Sequence, residues 1–221
     1  MTNLVTLILR LLIFELVLGG VLFGSAGRLD LPWFWAVIVI HTVSMAAAVP
    51  RIDPELRKER FSPGPGGKDR LLRLIVLPIV LVHLVIAGLD AGRFHWSGEV
   101  AVSVHAAGLV VYTLGLWLAF WAMSANRFFS PVVRIQKERG HHLITTGPYR
   151  FVRHPGYVGV MSATLGGGLA LGSYWSMVPL VVFFLLFIRR TALEDRFLLA
   201  ELEGYAEFAQ KVRYRVLPGI W

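Results

Sequence analysis

The stretch GPYRFVRHPGYVGV, residues 147–160, gathers the side chains best suited to bind a charged ligand. Pro155 fits the first turn of a helix, where its missing N–H is not needed. A helix that begins there offers free N–H groups and a positive dipole end to a carboxylate or a phosphate. Arg153 and His154 precede this end, and Tyr149 supplies a flat ring with a hydroxyl. The pattern predicts a pocket for a molecule with an acidic end and an aromatic ring.

A second polar group, Glu194 and Asp195, follows two short apolar stretches that read as a helical hairpin. Because a hairpin returns the chain to the side from which it left, we expect this acidic pair to lie near Arg153 and His154. Its carboxylates would bind an amino or sulfonium group, or the hydroxyls of a ribose. The two polar groups together predict one site.

The elements that hold this site are apolar. Of 221 residues, 56% are apolar and 16% are charged, and the mean hydropathy is +0.63, whereas soluble domains carry about 25% charged residues. Six apolar stretches stand out, at about 4–24, 31–49, 71–89, 100–123, 157–171 and 174–188. The first four are long enough to cross a hydrocarbon core of about 30 Å, and the last two form the hairpin that spans or re-enters. We predict an all-α integral membrane protein, a bundle of five or six transmembrane helices.

The distribution of charge predicts the orientation of this bundle. Lys and Arg cluster in residues 51–73, 127–153 and 189–215, while the other two connections hold only Arg28 and Arg93. By the positive-inside rule the three basic segments are cytoplasmic, together with both termini and the polar site. The net charge of +8 therefore reflects topology and anionic lipid head groups, and we expect no nucleic acid partner.

The tail differs in kind from the spans. Apolar side chains recur at helical spacing over residues 191–212, with Glu and Lys between them, which predicts an amphipathic C-terminal helix that Gly204 can bend. We divide the chain into N-terminal transmembrane helices, residues 1–125 with about four spans, and a functional region, residues 126–221. The GxxxG match from Gly20 to Gly24 favours packing of the first helix inside the bundle.

Two segments carry a resemblance to a known family. TTGPYRFVRHPGYVG, residues 145–159, precedes LEDRFLLAELEGYAEFAQKVRYRVLPGIW, residues 193–221. The order GPY, RHPxYxG, apolar hairpin, acidic pair and C-terminal Pro resembles the isoprenylcysteine carboxyl methyltransferases and their relatives, the membrane phospholipid N-methyltransferases. The resemblance covers about residues 126–221. It implies a membrane methyltransferase with a cytosolic pocket for S-adenosylmethionine, which leaves as S-adenosylhomocysteine, and a bacterial-type member in the inner (cytoplasmic) membrane.

The resemblance also implies a role for each matching position. His142 and Leu143 would lie near the adenine. The other implied cofactor-binding residues are Gly147, Tyr149, Arg153, His154, Pro155, Tyr157, Glu194 and Asp195. The implied catalytic residues are Glu194, Arg153 and Arg190. Asp195 stands where the family usually has Glu, and Phe208 stands where many members have Tyr, so no chemistry is assigned to Phe208.

The methyl acceptor stays open between two chemistries. A lipidic or prenylated carboxylate, the nearest match to the family, is ionised at neutral pH and needs only a cation to orient it, from Arg153, Arg189 or Arg190. An amine, as in a phospholipid N-methyltransferase, needs a base, from Glu194 or Asp195. A membrane transporter or binding protein without catalysis is an alternative of another class, although the apolar stretches lack the paired charges of a transport pathway. Monomer and homodimer both stay open.

Cysteine and metal chemistry find no support in the sequence. The chain has no cysteine, which excludes disulfides, thiolate catalysis and cysteine-ligated metal. His41, His83 and His105 fall in three different apolar stretches without HxxH or HxxxH spacing, so we expect no metal site. Arg10 and Glu15 lie within the first stretch, where Arg10 can reach the interface and Glu15 can pair inside the bundle.

Overall fold

Within residues 4–65, 67 and 69–221, which the computed structural model describes, the chain folds into eight α-helices and no β-strand. The helices are α1 (Leu4–Ala26), α2 (Pro32–Ala48), α3 (Pro54–Phe61), α4 (Arg70–Leu89), α5 (Val102–Ala125), α6 (Pro155–Ala170), α7 (Met177–Glu201) and α8 (Tyr205–Lys211). A π-helical turn, Asp90–Phe94, follows α4 directly. The predicted all-α class is confirmed, and the first three residues of the predicted N-terminal region lie outside the described residues.

Four of these helices are long and apolar enough to cross a membrane. Their spans are Ile8–Ala26, Pro32–Arg51, Leu74–Phe94 and Val102–Ala125, and they coincide with the first four predicted stretches. Their outer faces expose large apolar side chains, as expected for contact with lipid. The 16 residues of α6 reach only about 24 Å at 1.5 Å per residue, and α7 becomes polar at Arg189. The total of five or six spans stays a prediction.

Helices α5 and α6 pack with their backbones in contact, because glycines stand where the two helices meet. A Cβ at Gly115 would lie 2.3 Å from the backbone nitrogen of Ala163, and one at Gly159 would lie 2.4 Å from that of Ala119. Gly108 and Gly166 repeat the arrangement one heptad further along. This close pair fixes α6, whose first turn carries the conspicuous RHP residues, against the rest of the bundle.

The GxxxG match in the first helix does not make such a contact, so that expectation was wrong. A Cβ at Gly20 or at Gly24 would meet nothing within 4 Å. The glycines that face α1 come from α4 and the π-helical turn after it: a Cβ at Gly88 of α4 would lie 2.6 Å from the carbonyl oxygen of Leu22, and one at Gly92 of the turn would lie 2.5 Å from that of Ala26.

The three predicted basic segments meet at one end of the bundle, called the basic end from here on. Arg134, which is buried, pairs with Glu59 at 2.9 Å, and Arg190 pairs with Asp69 at 2.6 Å. The opposite end is formed by the connections 27–31, 90–101 and 171–176. Charge patterning therefore sorted the connections correctly between the two ends, while the assignment of the basic end to the cytoplasm stays a prediction.

The predicted amphipathic helix over residues 191–212 is in fact two elements. Helix α7 runs without a break from Met177 to Glu201, so residues 191–201 are its polar second half. The chain then turns at Gly204, which has a left-handed φ of +77°, and continues as α8. Gly204 thus bends the segment, as expected, because only glycine adopts this backbone conformation without strain.

Candidate active site

A cavity opens at the basic end among α5, α6, α7, α8 and the loop between α5 and α6. Its volume is about 580 Å³ including its open mouth. Its polar lining comes from Asn126, Ser130, Tyr149, Arg153, His154, Tyr157, Glu194 and Tyr205. Its apolar lining comes from Phe128, Phe129, Leu143, Ile144, Leu198, Leu202 and Phe208. The cavity can therefore hold a ligand that carries both a flat apolar part and charged groups.

Beneath this cavity, the fully buried carboxylate of Asp195 joins four side chains. Three of them, Arg153, His154 and Tyr205, line the cavity and are called its floor from here on. Its Oδ1 accepts hydrogen bonds from Arg153 Nε at 2.8 Å and from the Tyr205 hydroxyl at 2.9 Å, and His154 Nε2 lies 3.2 Å away. Its Oδ2 accepts from Arg153 Nη2 at 3.0 Å and from Arg215 Nε at 2.7 Å. A buried carboxylate with this many donors fixes the orientation of each of them.

The C-terminal tail, residues 212–221, holds the same basic pair from the other side. The backbone N–H of Arg153 donates to the carbonyl of Tyr214 at 2.9 Å, and that of His154 donates to the carbonyl of Arg215 at 2.8 Å. Arg153 Nη1 donates to two further tail carbonyls at 2.8 and 2.7 Å. The RHP motif is thus clamped between Asp195 and the tail, which leaves it little freedom to move.

Tyr157 and Glu194 form one wall of the cavity, and Arg190 lies behind them. These three side chains are called the polar wall from here on. The Tyr157 hydroxyl donates to Glu194 and accepts from Arg190 Nε, the latter at 2.6 Å. Arg190 is fully engaged, because its Nη1 also donates to Asp69 at 2.6 Å and its Nη2 to the carbonyl of Pro131 at 3.0 Å. Glu194 alone of the three presents a partly exposed side chain, 24% accessible against 7% for Arg190.

A second, larger groove lies on the far side of this wall, between the start of α4 and α7. Its volume is about 1400 Å³ including its open mouth. Arg190 and Asp69 line it beside Arg189, Arg196 and Glu201, and its remaining walls are apolar. The apolar lining comes from Leu71, Leu72, Ile75, Val133, Leu186, Leu193, Phe197 and Ala200. Tyr157 faces the first cavity and bonds to Arg190 of the groove, so the two spaces share the polar wall.

The environment of the wall and floor fixes the protonation of two groups. Burial by itself raises the pKa of Asp195, but hydrogen bonds from His154 and the two arginines outweigh it and hold the pKa well below its usual range. Burial and the charge of Glu194 raise the pKa of Tyr157 well above its usual value. Asp195 is therefore ionised and Tyr157 keeps its proton at neutral pH.

The structure brings six of the ten sequence-predicted cofactor residues to the cavity. Their positions in the lining are Leu143, Tyr149, Arg153, His154, Tyr157 and Glu194. They come from a loop, the first turn of α6 and the second half of α7, which the hairpin returns to the same end. Their binding role stays a prediction, since geometry places them together without naming a ligand.

The other four lie outside the lining. His142 is exposed and meets the edge of Phe128 at 5.0 Å. Gly147, with a φ of +61°, starts the short helical turn that carries Tyr149, and Pro155 is a buried residue that begins α6. Asp195 lies under the floor. Each of these four contacts or precedes a residue that does line the cavity.

Several lining residues were not among the predicted site residues. Asn126 donates its Nδ2–H to the Tyr149 hydroxyl at 3.2 Å. Gly156 allows the ring of Phe129 to approach α6, since a Cβ there would lie 2.3 Å from that ring. Tyr205 is part of the floor, and the centre of its ring lies 5.6 Å from that of Phe208. The aromatic spacing in GYAEF signals α8, but nothing in the sequence shows that α8 folds onto this cavity.

Comparison with known proteins agrees with this geometry. The model of the phospholipid methyltransferase family matches residues 103–202, which run from the start of α5 to the end of α7. The chain is similar to this family over just under half of its length. The matched residues include the polar wall, Asp195 and most of the lining of the cavity, but not Tyr205 and Phe208 of α8.

Named relatives confirm the resemblance to the isoprenylcysteine carboxyl methyltransferases. A probable protein-S-isoprenylcysteine O-methyltransferase of Oryza sativa subsp. indica is 36% identical over 112 residues, 49% of this chain and 59% of the relative. The protein-S-isoprenylcysteine O-methyltransferase of Schizosaccharomyces pombe is 33% identical over 102 residues, 45% of this chain and 43% of the relative. The match to the rice protein thus spans about three fifths of that protein.

A bacterial relative carries a different kind of name. The cobalt-zinc-cadmium resistance protein CzcN of Cupriavidus metallidurans is 28% identical over 138 residues, 60% of this chain and 58% of the relative. Within the described residues, no group of three or more His, Asp or Glu side chains is placed to hold a metal ion.

Proposed function

We propose that this protein transfers a methyl group from S-adenosylmethionine to a lipidic acceptor, with carboxyl O-methylation as the nearest reaction. The observation that carries the proposal is the shared wall of Glu194, Tyr157 and Arg190. On one side lies a cavity suited to a polar, aromatic molecule, and on the other lies an apolar groove. Two substrates of opposite solubility can meet at such a wall.

The lining of the first cavity fits S-adenosylmethionine group by group. Arg153, His154 and the first turn of α6 supply polar groups and a helix N-terminus for its carboxylate. Glu194 supplies an anion for its amino or sulfonium group, and the apolar side with Leu143 suits its adenine. When bound, this cofactor would supply a methyl group that is already activated. The protein's task is then to position both partners and to exclude water.

The groove suits an acceptor that enters sideways from the membrane. Its apolar walls continue the exposed faces of α4 and α7, where Ile75 is 48% and Leu185 is 61% exposed. The cations Arg189 and Arg196 stand along it with no ion pair among the described residues. An acceptor carboxylate is ionised at neutral pH and needs no base, so orientation by an arginine is sufficient. This favours an anionic lipidic or prenylated acceptor.

The polar wall holds its own groups in place for this reaction. Arg190 is fixed by Asp69 and Pro131, so the Tyr157 hydroxyl that it contacts cannot rotate freely. Because the Tyr157 hydroxyl donates a hydrogen bond to Glu194, the carboxylate keeps a fixed position beside the cavity. We assign Glu194 to cofactor orientation, Arg153 to the cofactor carboxylate and Arg190 to the acceptor side of the wall.

N-methylation of a phospholipid or another amine is the second candidate, and two observations favour it. The matching family model is that of phospholipid methyltransferases. Glu194 has a partly exposed carboxylate at the wall, 4.0 Å from Arg190 Nε, where it could accept the proton of an amine. Asp195 is unsuited to that role, because its buried carboxylate already accepts from two arginines and a tyrosine.

The topology follows from the same proposal. The basic end, with the cavity and both termini, would face the cytoplasm, where S-adenosylmethionine is dissolved, and a bacterial member would lie in the inner membrane. A transporter or binding protein without catalysis fits less well, since every isoprenylcysteine relative named above is called a methyltransferase. Monomer and homodimer both remain compatible with the fold.

Equilibrium binding of S-adenosylmethionine to the detergent-purified protein tests the cofactor part. We expect saturable binding that Glu194→Gln weakens at least about tenfold, the effect of losing about 1.4 kcal/mol of charged contact. Glu203→Gln, a change of an exposed acid on the turn beyond α7, is the matched control and should bind as the unmodified protein does. Equal affinities for both variants would show that Glu194 does not contact the cofactor, and no binding at all would reject the proposal.

A further inference from the structure

A third cavity lies at the opposite end of the bundle and shares no lining residue with the cavity or the groove described above. It occupies about 530 Å³ including its mouth, between the start of α2, the π-helical turn, α5 and the α6–α7 turn. Its polar lining comes from Trp33, Asp90, His95 and His105, and its walls are otherwise apolar. Methyl transfer at the basic end gives this space no role.

The imidazole of His105 is held rigidly in this cavity. Its Nδ1 lies 2.7 Å from the carbonyl oxygen of Ala170, and because a carbonyl only accepts, that nitrogen carries the proton. Trp33 stacks on the ring at 4.7 Å with an angle of 4°. A Cβ at Gly172 would lie 2.3 Å from the ring, so glycine is required there. In the neutral ring Nε2 is then an acceptor, for which no described residue supplies a donor.

Asp90 adds a negative charge that no described cation neutralises. Its side chain is hydrogen-bonded only by neutral groups, with Ser97 N at 2.9 Å from Oδ1 and the hydroxyls of Ser97 and Ser173 at 2.5 and 2.6 Å from Oδ2. Arg93, the nearest cation along the chain, instead donates to the carbonyls of Ser25 and Gly24. Oδ1 therefore has one acceptor position that no described group uses.

We propose that this cavity binds a primary alkylammonium group. An ammonium carries a positive charge and three N–H donors, which match the charge of Asp90 and the free acceptor of His105. The apolar walls, among them Leu31, Phe34 and Leu171, would cover the attached carbon chain. An anion is disfavoured by Asp90, and no three His, Asp or Glu side chains among the described residues, His95 included, are placed to hold a metal ion.

The position of the cavity suggests where such an amine is found. Large aromatic side chains are exposed around this end, including Trp35, Phe94, Trp96 and Trp175. Exposed Trp and Tyr mark the level of the lipid head groups. The ammonium could belong to an ethanolamine lipid of that leaflet or to a free amine in solution, and the shared chemistry is the same.

Titration of the purified protein with dodecylamine tests this site without any methyl donor, so its outcome is separate from that of the methyltransferase proposal. We expect saturable one-to-one binding that Asp90→Asn weakens at least about tenfold. Because Asp90 also joins two connections, Val100→Phe is the second variant: it fills the cavity and leaves the carboxylate untouched, and it should weaken binding to the same extent. Glu99→Gln removes a neighbouring exposed acid outside the lining and should leave binding unchanged. Thermal unfolding checks that each variant is folded.

Two comparisons decide the outcome. Dodecanol, which has the same chain and no charge, should bind at least about tenfold more weakly than dodecylamine. Equal binding of the two, or full binding by Val100→Phe, would overturn the proposal. Binding of ethanolamine with similar affinity would identify a free amine as the ligand, whereas retention of phosphatidylethanolamine over phosphatidylglycerol in nanodiscs would identify a lipid.

Discussion

Asp195 and Arg215 are joined by a hydrogen bond of 2.7 Å that ties the C-terminal tail to the floor of the candidate active site. The same carboxylate orients Arg153 and His154, which line the cavity. Arg215 also lies over the ring of Trp221 at 5.1 Å. The tail is therefore part of the site's support, although none of its residues lines the cavity.

The first prediction concerns this support. Arg215→Gln should weaken binding of S-adenosylmethionine about tenfold, because a charge-assisted hydrogen bond of about 1.5–3 kcal/mol holds the floor in place. Arg213→Gln, in the same segment but with an exposed side chain, should bind normally, and Arg215→Lys should recover part of the affinity. Isothermal titration measures all three. If both glutamine variants bound equally well, the tail would have no role in positioning Arg153 and His154.

The second prediction concerns the polar wall. Tyr157→Phe removes the hydroxyl between Arg190 and Glu194 and leaves both ring and cavity in place. We expect turnover to fall about 10- to 100-fold, as for a small misplacement of reacting groups, while affinity for S-adenosylmethionine changes less than about threefold. Steady-state kinetics with a parallel binding measurement separates the two quantities. A loss of affinity with unchanged turnover would place Tyr157 in cofactor binding alone.

The third prediction concerns the contact of α5 with α6. Gly159→Leu should lower the melting temperature of the detergent-purified protein strongly or prevent folding, since even a Cβ would lie 2.4 Å from the Ala119 nitrogen and overpacking costs about 1–3 kcal/mol or more. Gly20→Leu, where a Cβ meets nothing within 4 Å, is the matched control. Comparable melting temperatures for the two variants would mean that the helices are not in backbone contact.

The fourth prediction concerns pH. Burial, with positive neighbours such as Arg134, lowers the pKa of His141 to about 4, and its Nδ1 accepts the N–H of Gln136 at 3.2 Å. Below about pH 6.5 this histidine is therefore protonated in the unfolded state but still neutral in the folded state. Because the unfolded state binds the extra proton, the free energy of unfolding falls as the pH drops from about 6.5 to about 4. Between about pH 7.5 and about pH 5, His141→Phe should lose less thermal stability than the unmodified protein. An equal loss would contradict the buried neutral state of His141.

The sequence predicted the bundle and the sorting of its connections because long apolar runs and clustered cations follow directly from the membrane as a solvent. It also predicted that the RHP segment and Glu194 meet, because a helical hairpin leaves no other arrangement. The GxxxG match at Gly20 failed for a physical reason: the motif shows only that close approach is possible, and whether a partner helix stands there depends on tertiary packing.

The parts of the site that could not be predicted are those made by distant segments. Arg215 and Tyr205 reach Asp195 only because the chain turns at Gly204 and folds back, which no local pattern specifies. The placement of Asp195 under the floor depends on its helical phase relative to Glu194: adjacent residues point about 100° apart on a helix, so one can face the cavity while the other is buried. The sequence shows the pair but not that phase.

The most direct test of the central claim is transfer of label from methyl-labelled S-adenosylmethionine to a lipid extract, with the His154→Ala variant as control. We expect label in the lipid fraction with the unmodified protein, a large loss with the variant, and release of the label as volatile methanol on treatment with base, as a methyl ester requires. Label that stays with the lipid after base would show N-methylation and make Glu194 the base to examine. No label in any lipid fraction, from a protein that binds the cofactor, would contradict methyl transfer to a lipidic acceptor.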